Sequence, residues 1–364
     1  MSRSFTIDGV EIADASPCYV IAEIGHNHQG EIAQAKRLIS AAKECGVDAV
    51  KLQKRSNRTL YTREFYDQPY ENELSFGRTY GEHREALEFG ADEYRALLAH
   101  ARDVGVTFFA TPFDFESADL LAELDVPAFK FASGDLRNTP LQRHVASFRK
   151  PMLLSTGGAT MGDVERAVDT ILPINSQLCV LQCTAAYPAS VEDLNLSVIT
   201  TLRERFPQLV VGLSDHQNGI AMAVVAVMLG ARVIEKHFTL DHALKGRDHA
   251  FSLMPEGMRR LVRDVHRIPA ALGDPVKRPL PVEREPLEKM GKKLVAAREL
   301  ELGHVLTAED IAIKSPADGG LPPYELERLI GRRLRRPIPF EDFVTFDDVE
   351  PLSEHAGAHA ATQP

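Results

Sequence analysis

Eight short apolar runs recur along the first two thirds of the chain, with helix-period stretches between them. The runs are Tyr19–Gly25, Asp48–Gln53, Thr107–Phe113, Ala128–Ser133, Pro151–Thr156, Leu178–Thr184, Val210–His216 and Arg232–Phe238. Helical periodicity marks Glu31–Cys45, Ala91–Val104, Glu116–Leu124, Met161–Leu172, Leu196–Phe206 and Gly219–Leu229. Gly46, Gly105 and Gly230 stop three of these stretches just before the next run begins. Eight strands alternating with helices over about 250 residues predict an α/β chain folded as a (β/α)8 TIM barrel. A doubly wound open sheet is the alternative. Against it, the turn after the first run reads Gly25-His26-Asn27-His28-Gln29-Gly30 and lacks the dinucleotide fingerprint.

The rest of the chain is arranged around that barrel. Phe5–Ile12 reads as a hairpin with Asp8-Gly9 at its turn, lying across the bottom of the barrel. Residues 54–90, rich in aromatics and charges, read as an inserted loop over one end. The barrel is expected to span 1–272, followed by a linker over 273–290 in which Gly273–Pro286 carries four prolines. A short, strand-rich and turn-rich unit is expected over 291–350. About 60 residues form only a marginal core, so this unit should pack on its own subunit or a partner's. Residues 351–364 read as a disordered tail.

Composition narrows the classes of function. The chain has 52 acidic and 42 basic residues, a net charge of -10. That balance argues against a dedicated nucleic-acid binder. The run Arg332-Arg333-Leu334-Arg335-Arg336 is then a solvated or inter-subunit face. No apolar run reaches the ~18 residues of a membrane span, and Met1 to Asp14 lacks a signal-peptide core. Cys18, Cys45, Cys179 and Cys183 have no zinc spacing, and Cys179 and Cys183 read as core packing. A reduced, cytoplasmic protein is expected.

The chemistry concentrates at the C-terminal ends of the strands, where such barrels place their catalytic groups. In order these ends carry Glu23, Lys51 and Gln53, Thr111, Lys130 and Ser133 with Asp135 beyond, Ser155 and Thr156, Thr184 with Tyr187 beyond, Ser214 with Asp215 and His216, and Glu235 with His237. Period-two parity points Lys51 with Gln53, Ser214 with His216, and Glu235 with His237 to one side. Charges inside a barrel are costly unless paired or bound to ligand. A structural ion pair, Lys51 with Glu23 or Lys130 with Glu235, would account for one such residue but not for the set. Two lysines among hydroxyls make a pocket for an anion. His216 and His237, closing adjacent strands, suit a divalent metal ion with open positions. His26 and His28 read as loop donors.

Seven motifs together resemble one family. They are Ala22-Glu23-Ile24-Gly25-x-Asn27-His28-x-Gly30, Lys51-x-Gln53, Phe129-Lys130-x-x-Ser133-Gly134-Asp135, Leu154-Ser155-Thr156-Gly157, Gln182-Cys183-Thr184-x-x-Tyr187-Pro188, Gly212-x-Ser214-Asp215-His216 and Glu235-Lys236-His237-Phe238-Thr239. The resemblance is to the sialic acid synthases, from about Pro17 to Val349, and Gly291–Glu350 looks like their antifreeze-like SAF domain. It implies condensation of phosphoenolpyruvate with an N-acetylmannosamine-type aldose, free or as its 6-phosphate, to a nine-carbon 2-keto-3-deoxy sugar acid. It also implies a divalent metal cofactor, Mn2+ or Mg2+, and a domain-swapped homodimer. By the same resemblance His216 and His237 are the metal ligands. Lys51, Thr111, Lys130, Ser133, Ser155 and Ser214 form the phosphoenolpyruvate pocket, and Gln53, Tyr187 and Asp248 line the sugar site. Glu23 stands beside the reacting carbonyl, and Glu23 or Asp135 is the base for the water that adds as phosphate leaves.

Two positions depart from the common bacterial pattern: Ala185 stands for an Asn and Ser315 for an Arg. Both weigh against free N-acetylmannosamine. The insert segment Ser75–Arg84 and Ala185-Ala186-Tyr187 resemble the animal-type branch, which uses 6-phosphates. Arg78, His83 and Arg84 are then candidates for binding a sugar phosphate, with plain surface charge as the alternative. Related acids, such as the mannose-derived nine-carbon acid 9-phosphate or the legionaminic and pseudaminic types, are the alternative products.

Overall fold

The structure, a computed structural model, describes residues 3–316 and 319–351. A hairpin of β1 (Ser4–Ile7) and β2 (Val10–Ala13) precedes eight strands: β3 (Tyr19–Gly25), β4 (Ala49–Lys54), β5 (Thr107–Pro112), β6 (Phe129–Phe131), β7 (Met152–Ser155), β8 (Leu178–Cys183), β9 (Val210–Asp215) and β10 (Val233–His237). These eight close into a barrel in sequence order, with β10 hydrogen-bonded to β3. Every pairing in it is parallel. The expected TIM barrel is the observed fold, and each apolar run lies within about a residue or two of its strand.

The helices follow the predicted stretches closely. Ala91–Val104 has the predicted bounds, and Gly105 ends it in the left-handed conformation at φ +74°. Two further helices, Thr139–Ser147 and Pro255–Leu272, complete the outer ring. The second begins with Pro255, whose missing N–H costs nothing at that position. It buries Met258, Leu261, Val262 and Val265, the stripe that helical period dictates.

The hairpin turns through Asp8 (φ +49°) and Gly9 (φ +80°), the two positive φ values that a tight hairpin needs. Ile7 and Ile12 are fully buried against the barrel core. The Asp8 carboxylate accepts a hydrogen bond from Thr107 at the start of β5 (3.0 Å), so the hairpin covers the N-terminal, bottom end.

The insert differs from the plain loop expected. It contains three short helices, Asn57–Leu60, Arg63–Asp67 and Tyr80–Glu85. The reason is local capping. The Thr62 hydroxyl accepts from the Phe65 N–H, and Thr79 with Glu82 forms a reciprocal box. Tyr61, Phe65, Tyr70 and Tyr80 pack together there, three pairs edge to face and Phe65 tilted on Tyr80, with ring centroids 4.5–5.6 Å apart.

On β9 and β10 the side chains facing away from the barrel axis include a charged pair. Lys236 Nζ lies 2.7 Å from Asp215 Oδ2, and both side chains are out of solvent. Here the bland reading of a strand-end charge holds, because the two neighbours neutralise each other.

The chain divides into two units, Met1–Gly273 and Asp274–Pro364. In the second, the stretch expected to be an extended linker contains a helix, Arg284–Met290. The small unit has fewer strands than expected. β11 (Lys293–Ala296) pairs antiparallel with β12 (Ile311–Lys314), and isolated bridges supply the rest. Its core gathers Leu294, Leu300, Leu306, Leu334, Ile338 and Val344. A repeat that the sequence reading missed supports it. Asp310 accepts from the Thr307 hydroxyl and amide and pairs with Arg298, and Asp348 does the same with Thr345 and Arg336. Apart from Pro351, the tail predicted to be disordered lies outside the described residues.

Breaking the Lys236 pair tests the barrel's outer charge balance. Asp215→Leu should destabilise the chain by about 3–5 kcal/mol, because it strands a buried ammonium. Adding Lys236→Met should restore most of the loss in denaturant melts.

Candidate active site

The C-terminal ends of the strands surround a cavity of about 450 Å3. Of the predicted site residues, Glu23, Lys51, Gln53, Thr111, Lys130, Ser133, Ser155, Tyr187, Ser214, His216, His237 and Asp248 all line it. Strand register explains the convergence. His237 on β10 stands level with Glu23 on β3, and Glu23 stands level with Lys51 on β4. Parity then turns all three inward.

Both structural ion pairs weighed from the sequence are present, inside the cavity and within one network. Lys51 Nζ lies 2.7 Å from Glu23 Oε2 and donates to Thr111 Oγ1 at 2.8 Å. Lys130 Nζ donates to Ser155 Oγ at 2.6 Å and lies 3.6 Å from Glu235 Oε1. Glu235 also accepts from Ser214 Oγ at 3.0 Å, and its other oxygen lies 4.0 Å from Lys51 Nζ. Glu235 therefore serves both lysines. Its burial opposes ionisation, but Lys130 and Lys51 overcome that and hold its carboxyl well below the usual range. Burial pushes the Lys130 ammonium below its ordinary value, and Lys51 adds to this while Glu235 opposes it.

Gly157 shapes the hydroxyl wall. Its N–H donates to Ser133 Oγ at 2.9 Å, and a Cβ there would lie only 2.7 Å from that oxygen. Ser133 also donates to Cys183 Sγ at 3.4 Å.

The histidine pair lines the same cavity, with ring centroids 5.3 Å apart. His216 Nδ1 lies 2.9 Å from the Thr184 carbonyl, so Nδ1 carries the proton and Nε2 keeps its lone pair. His237 Nδ1 is buried without a hydrogen-bond partner, 3.7 Å from Asp248 Oδ2. Two imidazoles, one oriented by the Thr184 carbonyl and one with an orphaned nitrogen, fit a divalent ion. Among the described residues no three His, Cys, Asp or Glu converge as a ready-made metal cluster. Such an ion would draw its other ligands from substrate and water. The Tyr187 ring lies against His216 at 4.2 Å.

Several expectations need correction. Asp135 is not among the residues that line the cavity; it sits on a short 3-10 turn where its carboxylate accepts from Asn138 at 3.0 Å. The turn that begins at Ser133 carries it away from the strand axis. His28 is buried away from the cavity wall, and its ring hydrogen-bonds only loop backbone: it donates to the Gly25 carbonyl. It accepts from the Gly30 N–H at 3.1 Å and stacks on Phe89 at 4.2 Å, and burial pushes its basicity down to about 3. Arg78 has 84% of its side chain in solvent and does not line the cavity. His83 does line it, but burial and the nearby Arg84, Arg247 and Lys245 lower it to about 4, so it is neutral near pH 7. Its Nδ1 already accepts from the Phe76 N–H. Arg84 enters the cavity wall as expected, and Ala185 lines it too. Ser315 accepts from Lys292 within the second unit.

The structure also gives places in the cavity to residues that the sequence reading had not assigned to the site. Glu235 was read at a strand end with the parity of His237 and as an ion-pair partner of Lys130, but without a site role. Cys183 was read as core, yet it lines the cavity beside Ser133, with its Sγ 3.9 Å from His216 Nδ1. Arg55, His26 and Arg247 line the outer wall and had no periodic signal, because loops carry them.

Comparison with known proteins gives the chain's family. Residues 38–277 match the NeuB family, and 293–350 match the SAF domain. The chain is 41% identical over 338 residues to the N-acetylneuraminate-9-phosphate synthase of Mus musculus, covering 93% of this chain and 94% of that one. It is 37% identical over 357 residues to the N,N'-diacetyllegionaminic acid synthase of Legionella pneumophila, covering 96% and 100%. The solved N-acetylneuraminic acid synthetase of Leptospira borgpetersenii superposes with a TM-score of 0.69 at 32% identity, covering 79% of this chain and 96% of that one. The paired lysines, the facing histidines and the C-terminal SAF domain thus occur together in a chain that belongs to the NeuB family of sialic acid synthases.

Proposed function

We propose that this chain condenses phosphoenolpyruvate with an N-acetylmannosamine-type aldose, giving a nine-carbon 2-keto-3-deoxy sugar acid and inorganic phosphate. The observation that carries this reading is the pair of buried lysines, each tied to a hydroxyl and a carboxylate, lining one cavity with two histidines. Lys51 and Lys130, with Thr111, Ser133, Ser155 and Ser214, clamp the carboxylate and phosphate of phosphoenolpyruvate. Gln53, Tyr187 and Asp248 orient the open-chain aldose. The enol carbon of phosphoenolpyruvate forms the new bond to the aldehyde carbon. Positive charge develops at the carbon that bears phosphate, water adds there, and the C–O bond to phosphate breaks. Glu23, whose second oxygen accepts from Gln53 at 2.7 Å, stands nearest both reacting ends and takes the proton of that water. Asp135 is dropped from this role because it does not line the cavity.

His216 and His237 would hold a divalent cation, Mn2+ or Mg2+, which supplies Lewis-acid polarisation of the aldehyde. The chain works as a domain-swapped homodimer in the cytoplasm. Support for the dimer is the ten-residue buried core of the small unit, which is marginal for about 60 residues alone. Among the described residues no helix is long and apolar enough to cross a membrane.

Phosphate release from phosphoenolpyruvate across a panel of aldoses tests the reading, and no release with any six-carbon sugar would sink it. Glu23→Gln should lower turnover by at least about 100-fold while phosphoenolpyruvate binding remains measurable. A chelator should stop turnover, and Mn2+ or Mg2+ should restore it. Glu235→Gln removes the charge that favours the Lys130 ammonium, so Lys130 loses its proton at lower pH. The alkaline limb of kcat/KM for phosphoenolpyruvate should move down by about one pH unit.

A further inference from the structure

The turn that follows β3 belongs to the motif Ala22–Gly30, yet the proposed reaction uses only Glu23 from that motif. Asn27 in the turn is 1% exposed and lines the cavity. Its Nδ2 donates to the Phe238 carbonyl at 2.8 Å and to Ser252 Oγ at 3.0 Å. A carbonyl only accepts, so the amide nitrogen is the end that faces Phe238. Both bonds are buried, and they tie the turn to residues 211 and 225 positions further along the chain.

Phe238 and Ser252 bracket the excursion that follows β10. The Thr239 N–H donates to the Leu253 carbonyl at 2.9 Å and the Leu253 N–H to the His237 carbonyl at 2.8 Å, so residues 239–253 leave the barrel rim and return to it. Asp248 rides on this excursion. The Ser252 hydroxyl donates its one proton to the Asp248 carbonyl, and the Ser252 N–H donates to the same carbonyl at 3.2 Å. A relay therefore runs from the Phe238 carbonyl through Asn27 and Ser252 to the Asp248 backbone. Its end point is crowded. A Cβ on Gly25 would lie 3.2 Å from Glu23 Oε1, 3.4 Å from Gln53 Nε2 and 3.5 Å from Asp248 Oδ2. Three groups of the site thus meet over one bare backbone position. Strands carry Glu23 and Gln53, whereas a loop carries Asp248, so the anchoring of that loop decides the fit. Gln29 also reaches the loop, donating to the Lys245 carbonyl at 2.8 Å, but water competes for that exposed bond. Loss of the buried Asn27 bonds would strand an acceptor, so they constrain the loop more.

We propose that Asn27 is a positioning residue for the second substrate: its buried amide, acting through Ser252, fixes the Asp248 backbone and so holds the Asp248 carboxylate over Gly25 beside Glu23 and Gln53. This rests on the proposed function, in which Asp248 orients the aldose. The phosphoenolpyruvate clamp stands apart from the relay, because Lys51 and Lys130 are held by Glu23, Thr111, Ser155 and Glu235.

The test measures phosphate release by the full chain with Mn2+, varying phosphoenolpyruvate and then N-acetylmannosamine or its 6-phosphate. Asn27→Ala and Ser252→Ala should each raise the KM for the better sugar by about tenfold or more, with the KM for phosphoenolpyruvate unchanged, because a small misplacement of an orienting group costs that much. The double variant should lose no more than Asn27→Ala alone, since both changes cut one relay. An Asn27 that only holds the fold together would lower the melting temperature and the active fraction, so kcat would fall with both KM values unchanged. That pattern, equal rises in both KM values, or additive losses in the double variant would overturn the proposal while the proposed function stands. Where Asn27→Ala does not fold, Ser252→Ala, which keeps the bond from Asn27 to Phe238, decides by the same split of KM values. If the unsubstituted chain turns over neither sugar, the proposed function fails, and hydrogen exchange then judges the relay. Faster exchange in Ser252→Ala confined to residues 239–253 keeps it. Unchanged exchange there, or faster exchange throughout the barrel, overturns it.

Discussion

The site depends on four charges held inside a barrel whose interior would otherwise be apolar. Glu23, Lys51, Lys130 and Glu235 come from four strands and are all nearly out of solvent. Any one of them alone would cost several kcal/mol to bury. Together they alternate in sign, and Thr111, Ser155 and Ser214 supply further hydrogen bonds, while Glu235 Oε2 is left without one. The lysines are thus paired and aimed before any substrate arrives, which is what preorganisation requires.

The same physics explains a contrast between neighbours on one strand. Glu235 and His237 face the cavity, whereas Lys236 faces the other way and is neutralised by Asp215. A single residue step separates a group available to ligand from one that only holds strands together. On the outer wall Arg55 and Arg84 lack such a partner among the described residues, and this absence sets them apart from the structural ion pairs elsewhere in the barrel.

Much of the fold was legible because it rests on periodicity. The run Tyr19–Gly25 and the helix Ala91–Val104 have the predicted bounds. Parity alone put Lys51 with Gln53 and Glu235 with His237 on the cavity side. Where the reading failed, short-range capping or loop geometry had decided the matter. Thr79 and Glu82 turned part of a loop into a helix. The 3-10 turn after β6 took Asp135 out of the cavity wall. Cys183 and Cys179 share a face of β8, but Cys183 lies high enough to meet His216, a height that composition does not encode.

The sequence by itself determined the barrel, the strand ends that carry chemistry and the family, because strand and helix periods are local and the motifs lie within single strand–loop units. Only the tertiary structure decided which charges are partnered. Glu235 bridging two lysines, His216 bonded to the Thr184 carbonyl, and His26 between Arg55 and Arg84 all join residues far apart in the chain. The energy of a buried charge depends on what lies within a few ångströms of it, and closing the barrel is what sets those distances.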